Sequence, residues 1–219
     1  MKKTICVILA VIMSCTVLFS FNVSAYSTKT DALFDKINNA SEISVKFTPS
    51  STTQGSLYST YAIKGNKMAY DFYNGFIDMR VVFVDGTAYG YLPIFPFMYV
   101  KVDGFGLENM NVKSMIRAGL GLTKGITHFE ESYNETLNGV NYYVEQFNDG
   151  ATVKLKYYYL GDDLKVLNVK DYSTNSVQNT YFDSISFSVP DSMFTVPTGL
   201  DLTPYLGTLF TSLISSGLI

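Results

Sequence analysis

The chain of 219 residues has no tryptophan, one histidine and two cysteines. Both cysteines, Cys6 and Cys15, fall within the first 25 residues. Without that segment a cysteine nucleophile is excluded, and His128 alone is a poor basis for a zinc or mixed Cys/His site. Arginine is equally scarce, only Arg80 and Arg117, and 16 basic groups face 19 acidic ones for a net charge of −3. No basic face of the kind nucleic acid requires follows from that balance. The G-x-S-x-G elbow of serine hydrolases is missing. Glu130-Glu131 and Asp162-Asp163 are neighbouring carboxylates, but adjacent strand residues point to opposite faces, so neither pair forms a dyad by itself. Gly119–Gly125 lacks the spacing of a phosphate-binding loop, and no calcium-loop array occurs. No catalytic residue, metal site or cofactor is assigned, and the chain reads as a non-enzyme.

What is present begins with an export signal. Met1-Lys2-Lys3 is a positive start, Ile5 to Phe21 is uncharged and apolar, and Val23-Ser24-Ala25 offers small residues at −3 and −1. Residues 1–25 are therefore expected to be a signal peptide cleaved after Ala25, with lipid anchoring at Cys15 disfavoured because the apolar run continues past it. An exported, extracellular or cell-envelope protein follows.

Residues 28–40 carry Leu33, Phe34, Ile37 and Ala40 at helical spacing, and Thr28 with Asp31 fits a capping box. The pattern then changes to period two, with strands expected near 43–47, 57–63, 68–72, 76–84 and 87–92. They resume at 126–136, 140–148, 152–160, 164–172 and 179–189. Asn74-Gly75, Asp85-Gly86, Asp103-Gly104, Asn138-Gly139 and Asp149-Gly150 lie between apolar runs, and such pairs accept the positive φ of tight hairpins. Two prolines in Leu92–Met98 argue against a central strand there. Val112, Met115, Ile116, Gly119 and Leu120 give one face of a short helix. The expected fold is α+β: a strongly curved antiparallel sheet, an incomplete β-barrel of roughly nine to eleven strands, closed by short helices. It would occupy residues 26–203, followed by an uncharged apolar tail at 204–219, read as a helix docked on its own sheet or as a contact for membrane or another protein.

Large apolar residues on both faces of several strands exceed what one simple core needs. Part of the surplus is expected to line a concavity, and methionines suit a surface that accepts variable acyl chains. Alternation assigns that lining to Met68, Tyr70, Phe72, Phe83, Phe95, Phe97, Met98, Met115 and Tyr159, with the Pro93–Pro96 loop and the 111–120 helix as a lid.

The order of helix, meander, proline-containing interruption and second meander resembles the bacterial lipoprotein-carrier superfamily. That group includes the LolA-type periplasmic carriers and the LppX/LprG-type mycobacterial lipoproteins. The resemblance is carried by Gly65–Asp71, Val84–Tyr89, Leu137–Val144, Tyr157–Leu164 and Phe194–Leu200. It implies a half-barrel that holds acyl chains in an apolar cavity without catalysis, with a lipid or acylated ligand and envelope proteins as partners. The alternative is an envelope protein that binds a protein or wall polymer through exposed tyrosines. A glycan hydrolase built on distant carboxylates is the third reading.

Overall fold

The computed structural model describes residues 28–49, 58–73, 75–104, 116 and 128–215. Helix α1 (Lys29–Asn39) is followed by β1 (Glu42–Pro49), β2 (Tyr58–Lys64), β3 (Lys67–Tyr73), β4 (Asp78–Val84), β5 (Thr87–Tyr91) and β6 (Met98–Asp103). After a link come β7 (His128–Leu137), β8 (Val140–Asn148), β9 (Val153–Leu160), β10 (Asp163–Asp171) and β11 (Ser176–Ser186). A 3-10 turn (Asp191–Phe194), the two-residue β12 (Leu200–Asp201) and helix α2 (Thr203–Ser215) complete the described residues. The expected α+β class holds as a mostly-β fold built on a large, curved, open sheet, with two short helices delimited among the described residues.

Two strands were not legible in the alternation. β6 starts immediately after the proline loop, and β12 pairs with it in parallel over only Leu200↔Met98 and Asp201↔Tyr99. They bring the sheet to 12 strands. Asp85-Gly86 and Asn138-Gly139 close two-residue hairpins with positive φ at both positions, 51° and 78°, 51° and 80°. Asp103-Gly104 instead ends β6 and opens the link to β7, so it closes no hairpin among the described residues.

The strand order is β12-β6-β5-β4-β3-β2-β1-β11-β10-β9-β8-β7. The chain therefore builds one meander outwards from β1 to β6. It then passes to the opposite edge and returns through β7 to β11, which pairs with β1 in the middle of the sheet, Ser44 against Ser186.

One face of this sheet carries two apolar clusters. The first contains Val45, Leu155, Tyr157, Tyr159, Leu167 and Phe182 under Ile37, Leu33 and Phe34 of α1. The second contains Met68, Tyr70, Val81, Phe83 and Ala88 under Phe210 of α2. A row of rings, Phe47–Tyr61–Tyr70, links them across β1, β2 and β3 with centroids 5.9 and 4.6 Å apart. On the opposite face Ala62, Ala69 and Val82 leave room for Val189 and Phe194. Ile116 is helical and buried in the first cluster; the rest of the expected 111–120 helix, Met115 included, lies outside the described residues.

The beginning of α1 explains its position. Thr28 and Asp31 form the expected capping box, with the Asp31 amide donating to Thr28 Oγ1 at 2.9 Å. The next donors find a distant acceptor. Glu145 on β8 accepts from Lys29 N at 2.7 Å, Thr30 N at 2.9 Å and Thr30 Oγ1 at 2.6 Å. A buried carboxylate at a helix N-terminus meets both the unsatisfied N–H groups and the positive end of the helix dipole. Although α1 is joined to β1, it is thus fixed to the second meander.

Desolvation in the two clusters suppresses the ionisation of three tyrosines. Tyr61, beside the Tyr70 hydroxyl, and Tyr157 and Tyr159 are pushed well above the usual tyrosine value. Tyr158, on the opposite face, is pushed by burial to about 12. In the unfolded chain these groups lose their protons near pH ~10. Between that pH and the raised values the unfolded state binds fewer protons than the folded one, so stability falls as pH rises. Thermal unfolding followed across the alkaline range should show a melting temperature that is flat up to about pH 9 and drops steeply above pH ~10. The tyrosinate absorbance of these four residues should appear together with unfolding; ionisation of every tyrosine in the intact fold would contradict this account.

Candidate functional site

Four features shape an apolar groove at the β6 edge of the sheet. Gly90 and Val100, paired across β5 and β6, and Met79 on the same face of β4 form its floor. Met98 and Phe95 close one end, Ile77 and Leu92 flank it, and Leu206, Leu209 and Phe210 of α2 roof it. Its volume is about 490 Å³, within the range of small-molecule sites, and its lining is almost wholly apolar.

The chain makes this groove by a local exception. Gly90 is the one position on β5 where the inward side chain is missing, and the Phe210 ring lies in the gap. A Cβ added there would stand 2.5 Å from Phe210 Cζ. Phe210 is 4% exposed, the buried side chain of α2 among those described, while its neighbours Leu206 and Leu209 are left half open beside the groove. The start of α2 is fixed by polar contacts: Lys101 N donates to Thr203 Oγ1 at 2.8 Å and Thr203 N to Asp201 Oδ1 at 2.8 Å. The backbone of Leu200 and Leu202 donates to Phe97 and Tyr99 carbonyls at 2.7 and 2.8 Å. The helix is fixed at its start by these bonds and anchored on the sheet, among its described side chains, by the Phe210 ring.

Of the residues that alternation assigned to a cavity, Phe95 and Met98 line the groove. Met68, Tyr70 and Phe83 lie beside it in the packed cluster under Phe210, and Phe72 is half-buried against that cluster. Phe97 turns to the rim, edge-on to Phe95 at 6.2 Å. Tyr159 is a correction. It is 1% exposed in the filled core under α1, with its hydroxyl 2.9 Å from Thr30 Oγ1, because β9 belongs to the other meander. The roof is also different from the one expected. Among the described residues it is the C-terminal helix; of the expected 111–120 helix only Ile116 is described, and it packs in the other cluster. Gly90 and the α2 stripe had a signal in the sequence, a glycine inside a strand and an uncharged helical stripe, but nothing there to join them.

Other concavities carry paired charge. Between α1 and the β10–β11 side a groove of about 370 Å³ is lined by Lys29, Lys36, Lys165, Asp162 and Asp183 among others. Lys29 Nζ already meets Asp162 Oδ1 at 2.9 Å and the Gly161 carbonyl at 2.5 Å. At the far edge Glu130 accepts from Gln146, Asn148 and Lys154, and these donors hold it below the usual carboxylate range. His128 lies exposed at the start of β7. Among the described residues no three of His, Cys, Asp and Glu come together as a metal site, and no helix is long and apolar enough to cross a membrane.

No family model and no curated protein matches the chain. A crystal structure of an uncharacterized conserved protein from Thermus thermophilus is similar to it at 9% identity with a TM-score of 0.37, over 81% of this chain and 92% of that one.

Proposed function

We propose that this chain is a non-enzymatic carrier or binder of hydrophobic ligands, with an acyl chain held in the groove between α2 and the β4–β6 face. The observation that carries the reading is the groove itself: about 490 Å³ of nearly uninterrupted apolar lining, half-open to solvent. Removing acyl surface from water there yields about 25 cal/mol per Å². With no charged lining residue among those described, a polar headgroup is expected to remain at the mouth. The half-barrel architecture of the bacterial lipoprotein carriers is the finer form of this proposal, and export after cleavage behind Ala25 belongs to it.

The reading through exposed tyrosines is weaker on this surface. Among the described residues only Tyr172 and Tyr205 are more exposed than buried, while most others stack or pack in the clusters.

The test is native mass spectrometry of the protein purified from its own host, with lipid extraction alongside. A stoichiometric lipid adduct is the expected result. A bare mass that stays bare after incubation with mixed lipids would overturn the proposal. A second measurement locates the site. Leu206→Asp places a charge at the roof without disturbing a buried contact, and should weaken uptake of a fluorescent fatty acid by at least about tenfold. Unchanged uptake by a folded variant would move the ligand elsewhere.

A further inference from the structure

We infer that the mouth of this groove is a docking surface for a neutral lipid bilayer, on which α2 and the proline loop lie at the level of the headgroups. The first observation is a concentration of exposed apolar side chains around the opening. Ile94 is 69% and Tyr205 84% exposed, and Phe95, Phe97, Leu200 and Leu209 are exposed with them. They come from separate segments that the backbone ties together, since Leu200 N donates to the Phe97 carbonyl and Leu200 pairs with Met98. Isolated exposed apolar residues are ordinary, but a continuous group at the mouth of an apolar groove marks an interaction site.

The second observation concerns charge. From Leu92 to Val100 and from Leu202 to Ile219 the sequence has no Asp, Glu, Lys, Arg or His. An amphipathic helix that adheres to an anionic surface carries Lys or Arg on its polar face. Helix α2 carries Thr, Ser and Gly instead. Asp201, the nearest acid in the chain, has its Oδ1 occupied by Thr203 N. The patch itself carries no charge, and the groups that border it among the described residues, Asp201 and Lys101, are of opposite sign, so the surface fits a zwitterionic headgroup layer better than a charged one.

The third observation separates lipid from protein as the occupant. Thr211 Oγ1 donates to the Gly207 carbonyl and Ser212 Oγ to the Thr208 carbonyl, each at 2.9 Å. Hydroxyls bonded back to their own helix enter a medium of low polarity without leaving a donor unmet. A protein interface uses such hydroxyls for hydrogen bonds to the partner, of which a typical one has about ten. Tyrosine and phenylalanine at the rim are also the side chains that favour the bilayer interface. Because Phe95 and Leu209 belong both to the rim and to the groove lining, an acyl chain at the docked mouth passes between bilayer and groove without crossing water.

Flotation of the protein, as its host produces it, with phosphatidylcholine vesicles tests this. Binding is expected, equal at low and high salt, and reduced by about tenfold or more when Ile94→Asp and Tyr205→Asp are combined. Both side chains are largely in solvent, so the fold should be retained. The same double variant should keep its uptake of a soluble fluorescent fatty acid, which separates this inference from the binding proposal above. Flotation that survives the double substitution, or that needs phosphatidylglycerol and is lost with salt, would overturn the inference. So would a dimer in sedimentation that the double variant dissolves, since the patch would then be covered by a second copy.

Discussion

Glu145→Ala is expected to lower the unfolding free energy by about 3–5 kcal/mol. The side chain is 1% exposed and its carboxylate serves three donors of α1, two of them helix N–H groups with no other acceptor in the first turn. Removing it leaves the Lys29 and Thr30 amides unmet, each at a desolvation penalty of about 1–3 kcal/mol, while the Thr30 hydroxyl keeps only the Tyr159 hydroxyl at 2.9 Å. Glu145→Gln keeps one acceptor oxygen but turns an NH2 group towards donors, so about half the loss should remain. Urea titrations of the two variants measure this directly. A loss below about 1 kcal/mol for the alanine variant would show that α1 finds its capping elsewhere.

Phe210→Ala is expected to act locally and to be more damaging to binding than to the sheet. A buried phenylalanine truncated to alanine costs about 3–5 kcal/mol where the surroundings stay in place. Here the ring is the buried anchor of α2, whose other described side chains are half-buried or exposed, so the helix releases instead and limits the global loss. Amide exchange over residues 206–215 should become fast while strands β1 to β3 keep their protection. Uptake of a fluorescent fatty acid should fall at least about tenfold, because the groove loses its roof. Protection that remains in α2 would mean that contacts other than Phe210 hold it.

These two cases show where the sequence was readable. The capping box of Thr28 and Asp31 and the hairpins at Asp85-Gly86 and Asn138-Gly139 are local, and local chemistry decides them. Ten of the strands are marked by alternation. β6 was obscured because Pro93 and Pro96 sit in the apolar run that leads into it, although Met98, Val100 and Val102 alternate cleanly once the strand is known. β12 is too short to have a period. The groove was legible only in part for a different reason. Alternation fixes which residues of one strand share a face. It does not fix which strands are neighbours, so Tyr159 in one meander could not be told apart from Met79 in the other. Nor does it reveal that Glu145 and Thr30, 115 residues apart, meet at one helix end.

The central pairing of β1 with β11 has a consequence for how the molecule is assembled. Within each meander paired strands are neighbours in sequence, whereas the seam joins Val45 to Ile185 and Phe47 to Phe182. Bringing such distant residues together requires closing a loop that contains nearly the whole sheet, and that entropy is recovered only after both flanking strands are in place. Sequence separation therefore favours pairing within each meander before this seam closes. Helix α1 belongs covalently to one meander and is capped by the other, so its docking ties the closing of the seam to completion and makes the finished sheet one cooperative body.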